Sequence, residues 1–181
     1  MCAHITQTSN AKKILMVIAE KNFQDKEFAT PKQEFELNGF NVVVASTSSE
    51  EAIGKFGAKV KPDIELLKVN FLDYDVLVVV GGPGSKEYLW NNKSLLSGVN
   101  EMFEAGKIVS AICASPVVLA RSGILKGKKA TVYPATEEKK EIESAGAFFT
   151  GQTVTVDGKI VTGNGPESSK DFAREIISIL K

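Results

Sequence analysis

The sequence feature that most constrains the fold is a short apolar run that reaches a cysteine and turns directly into a helical pattern, at residues 109–119. Ala111 and Ser115 flank Cys113 at a distance of two residues, and small residues at this spacing are typical of a sharp strand-to-helix turn around a nucleophile. Pro116 suits the first turn of a helix, where its missing N–H has no helical partner. The pattern predicts a strand, a tight turn at Cys113 and a helix.

The predicted position of Cys113 indicates a reactive thiol. Free backbone N–H groups and the positive end of the helix dipole lie at the start of a helix, and both favour thiolate over thiol. The alternative is that Cys113 is a small buried apolar residue, as free cysteines often are. Its place at the turn, between small residues, favours the functional interpretation.

The composition predicts one domain that binds neither nucleic acid nor membrane. At 181 residues and 43% hydrophobic, the chain is long enough for one well-packed core and short for two. The 22 basic residues balance the 22 acidic ones, so no net field draws it to nucleic acid or an anionic membrane. No apolar run approaches the roughly twenty residues of a membrane span, and residues 1–10 lack the apolar core of a secretory signal. We expect a flexible tail over residues 1–11, a single domain over residues 12–181 and a cytoplasmic location.

The cysteines and the histidine argue against two common kinds of site. Cys2 and Cys113 form neither a disulfide framework nor a metal-ligand spacing, which fits a reducing compartment. His4 is the only histidine, so a cysteine–histidine dyad would require the tail to fold across the site. We expect no metal and no cofactor.

The order of the predicted elements indicates an α/β fold. Residues 13–19 are an apolar run without alternation, as in a central parallel strand buried on both faces. Residues 22–38 have helical spacing with Gly39 as a stop signal, and residues 41–46 form a second strand. This order predicts a doubly wound, mostly parallel sheet sandwiched by helices. Because no glycine lies between residues 14 and 38, a dinucleotide pyrophosphate could not approach the first turn.

The remaining patterns complete the expected architecture. Asp157 and Gly158 separate two strand-like runs and are the strongest hairpin signal, while residues 52–62 predict a small hairpin or an extension of the sheet edge. The other predicted strands cover residues 75–80, 107–112 and 130–133, and the other predicted helices cover residues 95–103, 136–144 and 167–180.

Four stretches resemble the DJ-1/PfpI superfamily. Residues 111–116, followed by residues 125–134, are similar to its nucleophile elbow and next strand. Residues 81–84 and 164–166 are similar to two further signatures, one after an apolar strand and one before the last helix. The resemblance covers roughly residues 12–181. It implies a flavodoxin-like fold with small β-hairpins at the edges. Within the superfamily, the chain is closer to the DJ-1 branch than to the PfpI peptidase branch.

The amides of Gly82 and Ala114 are candidates for an oxyanion hole. Both lie at the carboxyl ends of predicted strands, where ligands bind in doubly wound sheets, and the matching amides hold the oxyanion in the family. The alternative is that the glycines only permit the turn. The resemblance places Gly81, Ser115, Tyr133 and Asn164 in the surrounding pocket.

Glu27 is the second candidate catalytic residue. The family motif places a glutamate four residues before a proline, in contact with the cysteine, and Glu27 stands in this position before Pro31. Pro31 cannot donate to the carbonyl of residue 27, so we expect an irregular helix that turns Glu27 inward, where its pKa would be raised. Without the resemblance, Glu27 would be interpreted as a solvated residue on a helix face.

Two departures from the family pattern bear on function. The peptidase branch carries a histidine directly after the cysteine, where this chain has Ala114. The glyoxalase and deglycase branch often has a histidine in the strand after the elbow helix, where this chain has Tyr133. Ordinary cysteine-peptidase chemistry is therefore disfavoured.

Three functions remain as hypotheses. The first is a cofactor-free enzyme for small 2-oxoaldehydes such as methylglyoxal or their glycation adducts, in which Cys113 adds to the aldehyde and Glu27 moves the proton. The second is a redox-sensing stress-response or chaperone-like protein whose Cys113 is oxidised by peroxide. The third is an intracellular peptidase or amidase. The resemblance also implies a homodimer or larger homo-oligomer, for which Ile53 and Phe56 would be interface residues unless they belong to the core.

Overall fold

The computed structural model describes residues 10–181, so Cys2, His4 and most of the expected tail lie outside the described residues. The strands are β1 Lys13–Ile18, β2 Lys21–Phe23, β3 Asn41–Ser46, β4 Ala52–Gly54, β5 Lys59–Val60, β6 Ile64–Glu65, β7 Val76–Val79, β8 Ile108–Ile112, β9 Lys129–Ala130, β10 Phe148–Phe149, β11 Val154–Asp157 and β12 Ile160–Gly163. The α-helices are α1 Asp25–Leu37, α2 Gly84–Tyr88, α3 Lys93–Glu104, α4 Pro116–Ser122, α5 Thr136–Ser144 and α6 Ser169–Leu180.

A seven-stranded sheet in the order β11-β12-β8-β7-β1-β3-β6 forms the centre of the molecule. Every neighbouring pair is parallel except β11 and β12, which form the hairpin expected around Gly158. In the middle of the sheet, Ile14 lies opposite Val42 on one side and Val76 on the other. The expected doubly wound α/β fold with a mostly parallel sheet is confirmed.

The two faces of the sheet carry separate cores. Leu15 and Val17 pack on the face covered by α3 and α4, and Ile14, Met16 and Ile18 pack on the face covered by α1 and α6. All five side chains are fully buried. Because helices cover both faces, β1 is apolar at every position, which explains the run without alternation.

A small sheet of β2, β4 and β5 lies outside the main sheet. Strands β4 and β5 pair antiparallel, with Ala52 opposite Val60, so the hairpin expected within residues 52–62 is present. The side chains of Ile53 and Phe56 are 44% and 71% exposed, which removes them from the core.

Three expected elements differ in the structure. The helix predicted over residues 22–38 starts at Asp25, because residues 21–23 pair with β4 as strand β2. The strand predicted over residues 130–133 is reduced to β9, which pairs with β10 and does not join the main sheet. The Thr131 N–H donates to the Thr162 hydroxyl at 2.9 Å. This backbone group therefore bonds to a side chain and not to the backbone carbonyl of a neighbouring strand. The last helix starts at Ser169, because a 3₁₀ turn over Pro166–Ser168 precedes it. No helix within residues 10–181 is long and apolar enough to cross a membrane.

Candidate active site

Cys113 occupies the sharp turn between β8 and α4. Its φ is +63°, a left-handed conformation that non-glycine residues seldom adopt and that is often found at functional sites. The Cys113 N–H donates to the Gly163 carbonyl at 2.9 Å, which ties the turn to the end of β12. Pro116 begins α4, and Gly123 ends it in a left-handed conformation. The expected elbow is present, and it holds the sulfur at the carboxyl end of the sheet.

Ser115 supports the elbow from inside the protein and does not line the cavity beside the sulfur. Its hydroxyl is fully buried and donates to the Val80 carbonyl at 2.7 Å. The hydroxyl oxygens of Ser85 and Ser115 lie 2.7 Å apart and form a hydrogen bond, which links the elbow to the segment after β7. Ser115 therefore stabilises the elbow from its buried side, whereas the family resemblance placed it in the pocket.

Trp90 supports the residue after the nucleophile. Its indole N–H donates to the carbonyl of Ala114 at 2.9 Å, and the ring is 1% exposed. Because a buried carbonyl without a donor is costly, this bond fixes the peptide that follows Ala114.

The candidate oxyanion donors, the N–H groups of Gly82 and Ala114, are oriented by hydrogen bonds that the carbonyls of the same peptide units accept. The Tyr133 N–H donates to the Cys113 carbonyl at 2.8 Å, and the Gln24 N–H donates to the Gly81 carbonyl at 2.9 Å. In a trans peptide the N–H points away from the carbonyl, so these bonds direct the N–H groups of Ala114 and Gly82 towards the site. Both N–H groups donate towards the sulfur of Cys113.

Both glycines before α2 are required by the packing. A Cβ on Gly81 would come within 2.5 Å of the Cys113 Cβ and of Glu27 Oε2. Gly82 has φ +104°, and a Cβ there would lie 2.5 Å from the backbone nitrogen of Gln24. The turn needs glycine at both positions, and the same turn presents the Gly82 N–H to the sulfur. These glycines can therefore permit the turn and also contribute an oxyanion-hole donor.

Glu27 lies in the first turn of α1 and is fully buried. Its Oε2 accepts a hydrogen bond from the Gly81 N–H at 3.0 Å. Its Oε1 has no hydrogen-bond partner within residues 10–181. The titratable group that acts on the Glu27 carboxyl is the Cys113 thiol. Helix α1 continues through Pro31, so the irregular helix we expected is absent. Glu27 faces inward because the start of α1 packs on the Gly81 turn.

The pKa shifts of Glu27 and Cys113 agree only in part with the expectation from the sequence. Burial raises the pKa of Glu27 from its ordinary value of 4.5 to about 7, although hydrogen bonds from Cys113 and Gly81 act against this. Burial also raises the pKa of the Cys113 thiol, and the charge of Glu27 adds to the effect. The amides of Gly82 and Ala114 lower that pKa but do not outweigh burial. The expectation of a thiolate favoured by the helix start was wrong because burial and the acidic neighbour dominate.

A cavity of about 320 Å³ opens beside the sulfur. Of the predicted residues, Cys113, Gly82, Ala114 and Tyr133 line it. Gly81 is buried and does not line the cavity. Asn164 is half-buried, and its N–H donates to the Thr153 carbonyl at 2.9 Å. Five further lining residues were missed by the sequence analysis: Gln24, Lys55, Pro83, Glu138 and Pro166.

Sequence signals existed for some of the missed residues. Gln24 caps the start of α1 and Pro166 belongs to the Asn164 signature, so both could have been inferred from those motifs. Lys55 and Glu138 have no sequence signal, because they are ordinary surface charges until the chain folds. Within residues 10–181, no cluster of three or more histidine, cysteine, aspartate or glutamate side chains could hold a metal ion.

Comparison with known proteins agrees with this architecture. An uncharacterized protein of Methanocaldococcus jannaschii is 48% identical over 169 residues, which are 93% of this chain and 82% of that protein. The crystal structure of a ThiJ/PfpI domain protein from Brachyspira murdochii is similar with a TM-score of 0.89 and 32% identity, covering 94% of this chain and 96% of that one. Oxidized Toxoplasma gondii DJ-1 is similar with a TM-score of 0.84 and 31% identity, covering 94% and 91%. The model of the DJ-1/PfpI family matches residues 12–179, and the chain belongs to this family.

Proposed function

We propose that the protein is a cofactor-free enzyme that uses Cys113 to convert small 2-oxoaldehydes, or their glycation adducts, into hydroxy acids. The observation that carries this proposal is the buried pair of Cys113 and Glu27, beside two amides aimed at the sulfur. The pair supplies a nucleophile and a proton acceptor, and the amides supply an oxyanion site.

In the first step the sulfur of Cys113 adds to the aldehyde carbon. The thiol proton moves to the Glu27 carboxylate as the carbon–sulfur bond forms, and the carbonyl electron pair moves to the oxygen. The N–H groups of Gly82 and Ala114 stabilise that negative oxygen. A carboxylate with a pKa of about 7 suits this role, since it is partly ionised at neutral pH and still basic enough to take the proton.

The following steps need no external oxidant. Glu27 first returns the thiol proton to the negative oxygen and is again a base. It then moves the proton of the former aldehyde carbon to the neighbouring carbonyl oxygen, which gives an enediol, and moves the proton of the first hydroxyl to the second carbon. The first carbon is thereby oxidised to a thioester, and the second is reduced to a carbon that bears a hydroxyl. Water then hydrolyses the thioester and frees Cys113. One methylglyoxal and one water give one lactic acid, which balances atoms and electrons.

Glu27 takes the place of the histidine that activates the sulfur in other cysteine enzymes. No histidine occurs within residues 10–181, so a cysteine–histidine dyad is absent from the described part of the chain. This supports aldehyde chemistry over the peptidase alternative, because the position directly after the cysteine, where the peptidase branch carries its histidine, is Ala114.

The experiment is lactate formation from methylglyoxal by the wild type, Cys113→Ser and Cys113→Ala, with a chelator present. A Cys2→Ser background removes the second thiol. We expect turnover in the background protein and none above the uncatalysed rate in the two Cys113 variants. Equal turnover in all three proteins, or none in the background protein, would contradict the proposal.

A second candidate, redox sensing through Cys113, has support of its own. The solved Toxoplasma gondii DJ-1 structure is of an oxidized protein. In this chain Cys113 is 7% exposed at the cavity, and the neutral form of Glu27 could donate a hydrogen bond to an oxygen added to sulfur. Peptide mass spectrometry after mild peroxide tests this. Oxidation of Cys113 before Cys2 supports it, and oxidation of Cys2 alone counts against it.

A further inference from the structure

Gln24 lines the cavity beside Cys113 and has no part in the reaction proposed above. It is the N-cap residue of α1, and its Oε1 accepts hydrogen bonds from the N–H groups of Lys26 at 2.7 Å and Glu27 at 3.3 Å. Because only the oxygen of a side-chain amide accepts from an N–H, these two bonds fix which end of the side chain is the oxygen. The other end is therefore the NH2 group of Nε2.

The Nε2 group of Gln24 is an unused hydrogen-bond donor. It makes no hydrogen bond to another residue within residues 10–181, since both bonds of this side chain go to Oε1. Gln24 is half-buried and borders the cavity, so this donor is available to a molecule bound there. Small-molecule sites orient their ligands with a few polar groups of this kind.

The backbone of Gln24 packs against the candidate oxyanion site. Its N–H donates to the Gly81 carbonyl at 2.9 Å, and a Cβ on Gly82 would lie 2.5 Å from the same nitrogen. The Gly82 N–H in turn donates towards the sulfur of Cys113. The residue with the unused amide donor is thus a direct neighbour of one of the two oxyanion donors.

A 2-oxoaldehyde carries two oxygens on adjacent carbons. The N–H groups of Gly82 and Ala114 bind the oxygen of the carbon that Cys113 attacks. The ketone oxygen on the second carbon is an acceptor without a partner in that reaction. An amide NH2 group next to Gly82 supplies the donor that this second oxygen needs.

We infer that the Nε2 group of Gln24 binds the ketone oxygen of the substrate and thereby sets which face of the second carbon receives a proton. This inference rests on the proposed function and adds a residue that determines its stereospecificity. Gln24 is the N-cap of α1 and Glu27 lies in the first turn of the same helix, so one element holds the donor and the proton carrier. With the second oxygen held in place, Glu27 protonates the second carbon from one side, and lactate forms mainly as one enantiomer.

The test compares two variants of Gln24 that differ in the helix cap. Gln24→Glu keeps an oxygen that accepts from the N–H groups of Lys26 and Glu27, whereas Gln24→Met removes it. Neither methionine nor an ionised glutamate donates to a ketone oxygen. Asn38→Ala is the matched control, since the Asn38 side chain donates to the Glu34 carbonyl at the other end of α1 and does not line the cavity. Chiral chromatography of the lactate, with kcat and KM for methylglyoxal, is carried out for each protein.

We expect both Gln24 variants to lower kcat/KM roughly tenfold, the effect of one lost hydrogen bond, and to bring the two lactate enantiomers close to equal amounts. Asn38→Ala should leave the enantiomer ratio unchanged. Equal enantiomers from the wild type, or an unchanged ratio in both Gln24 variants, would overturn the inference. A changed ratio in only one of the two variants would also overturn it, because the helix cap or the added charge would then control the product.

A second readout separates failure of this inference from failure of the proposed function. Methylglyoxal and propionaldehyde both add reversibly to a thiol and so slow the alkylation of Cys113 by iodoacetamide, but propionaldehyde lacks the ketone oxygen. Both Gln24 variants should need roughly tenfold more methylglyoxal for the same protection, and the same amount of propionaldehyde. Unchanged protection by methylglyoxal would overturn the inference even if lactate forms. Weakened protection in the variants, with no lactate from the wild type, would reject the proposed function and support the role of Gln24 in binding.

Discussion

Glu27→Gln should stabilise the protein at alkaline pH and not at acidic pH. The pKa of Glu27 is raised from 4.5 to about 7 in the folded protein, so folding disfavours the ionised carboxyl. Below pH 4.5 the group is protonated in both states and has no such cost. As pH rises from 4.5 to about 7, the unfolded chain has lost the proton while the folded protein still holds it, so stability falls; above about 7 both states are ionised and the loss is complete.

The magnitude follows from the two pKa values. Their difference corresponds to about 3 kcal/mol of unfolding free energy, lost by the wild type between about pH 4 and about pH 8. Glutamine keeps the shape and the acceptor for the Gly81 N–H, but it does not ionise. The unfolding free energy of Glu27→Gln minus that of the wild type should therefore increase by about 3 kcal/mol over this pH range.

Urea denaturation at a series of pH values measures this difference. Titrating groups that Glu27 does not influence contribute equally to both proteins and cancel in the subtraction. Burial keeps Cys113, which Glu27 does influence, in the thiol form over this pH range. Glu36→Gln is the control, because Glu36 is on the same helix with its side chain 48% exposed. A difference between Glu27→Gln and the wild type that stays constant with pH would refute the reasoning, since Glu27 would then titrate at its ordinary pKa.

Three further predictions follow from contacts at the site. Turnover of methylglyoxal should rise as pH passes through about 7, because the base form of Glu27 takes the thiol proton; a rate that falls over this range contradicts that role. Gly81→Ala should destabilise the protein by about 1–3 kcal/mol in urea, because the new Cβ would lie 2.5 Å from the Cβ of Cys113; an unchanged midpoint would show that the turn can relax. Trp90→Phe should cost about 1–3 kcal/mol by leaving the buried Ala114 carbonyl without its donor, and a smaller loss would mean that another donor replaces the indole.

The sheet and the elbow could be predicted from the sequence because their signals are local. Strand β1 is apolar at successive positions since both faces are covered, and the pattern shows this directly. The elbow at Cys113 is marked by small neighbours and by Pro116. The segment at residues 130–133 was misassigned because the bond from Thr131 to the Thr162 hydroxyl is a long-range contact, which no local pattern contains.

The site could be predicted only in part. Glu27 was assigned through the family resemblance, since a glutamate on a helix has no signal of burial by itself. The pKa of Cys113 was assigned in the wrong direction, because burial and the approach of Glu27 depend on tertiary packing. Lys55 and Glu138 are distant in sequence and both line the cavity, so their shared position required the structure.

In the proposed reaction, Cys113 carries the substrate covalently and Glu27 is its proton acceptor. The most direct measurement is peptide-resolved mass spectrometry of the protein quenched during methylglyoxal turnover, in a Cys2→Ser background, with lactate followed in parallel. We expect a mass increase of one methylglyoxal on the Cys113 peptide, and loss of both adduct and lactate in Cys113→Ala. Lactate formed while Cys113 stays unmodified, together with an active Cys113→Ala variant, would contradict it.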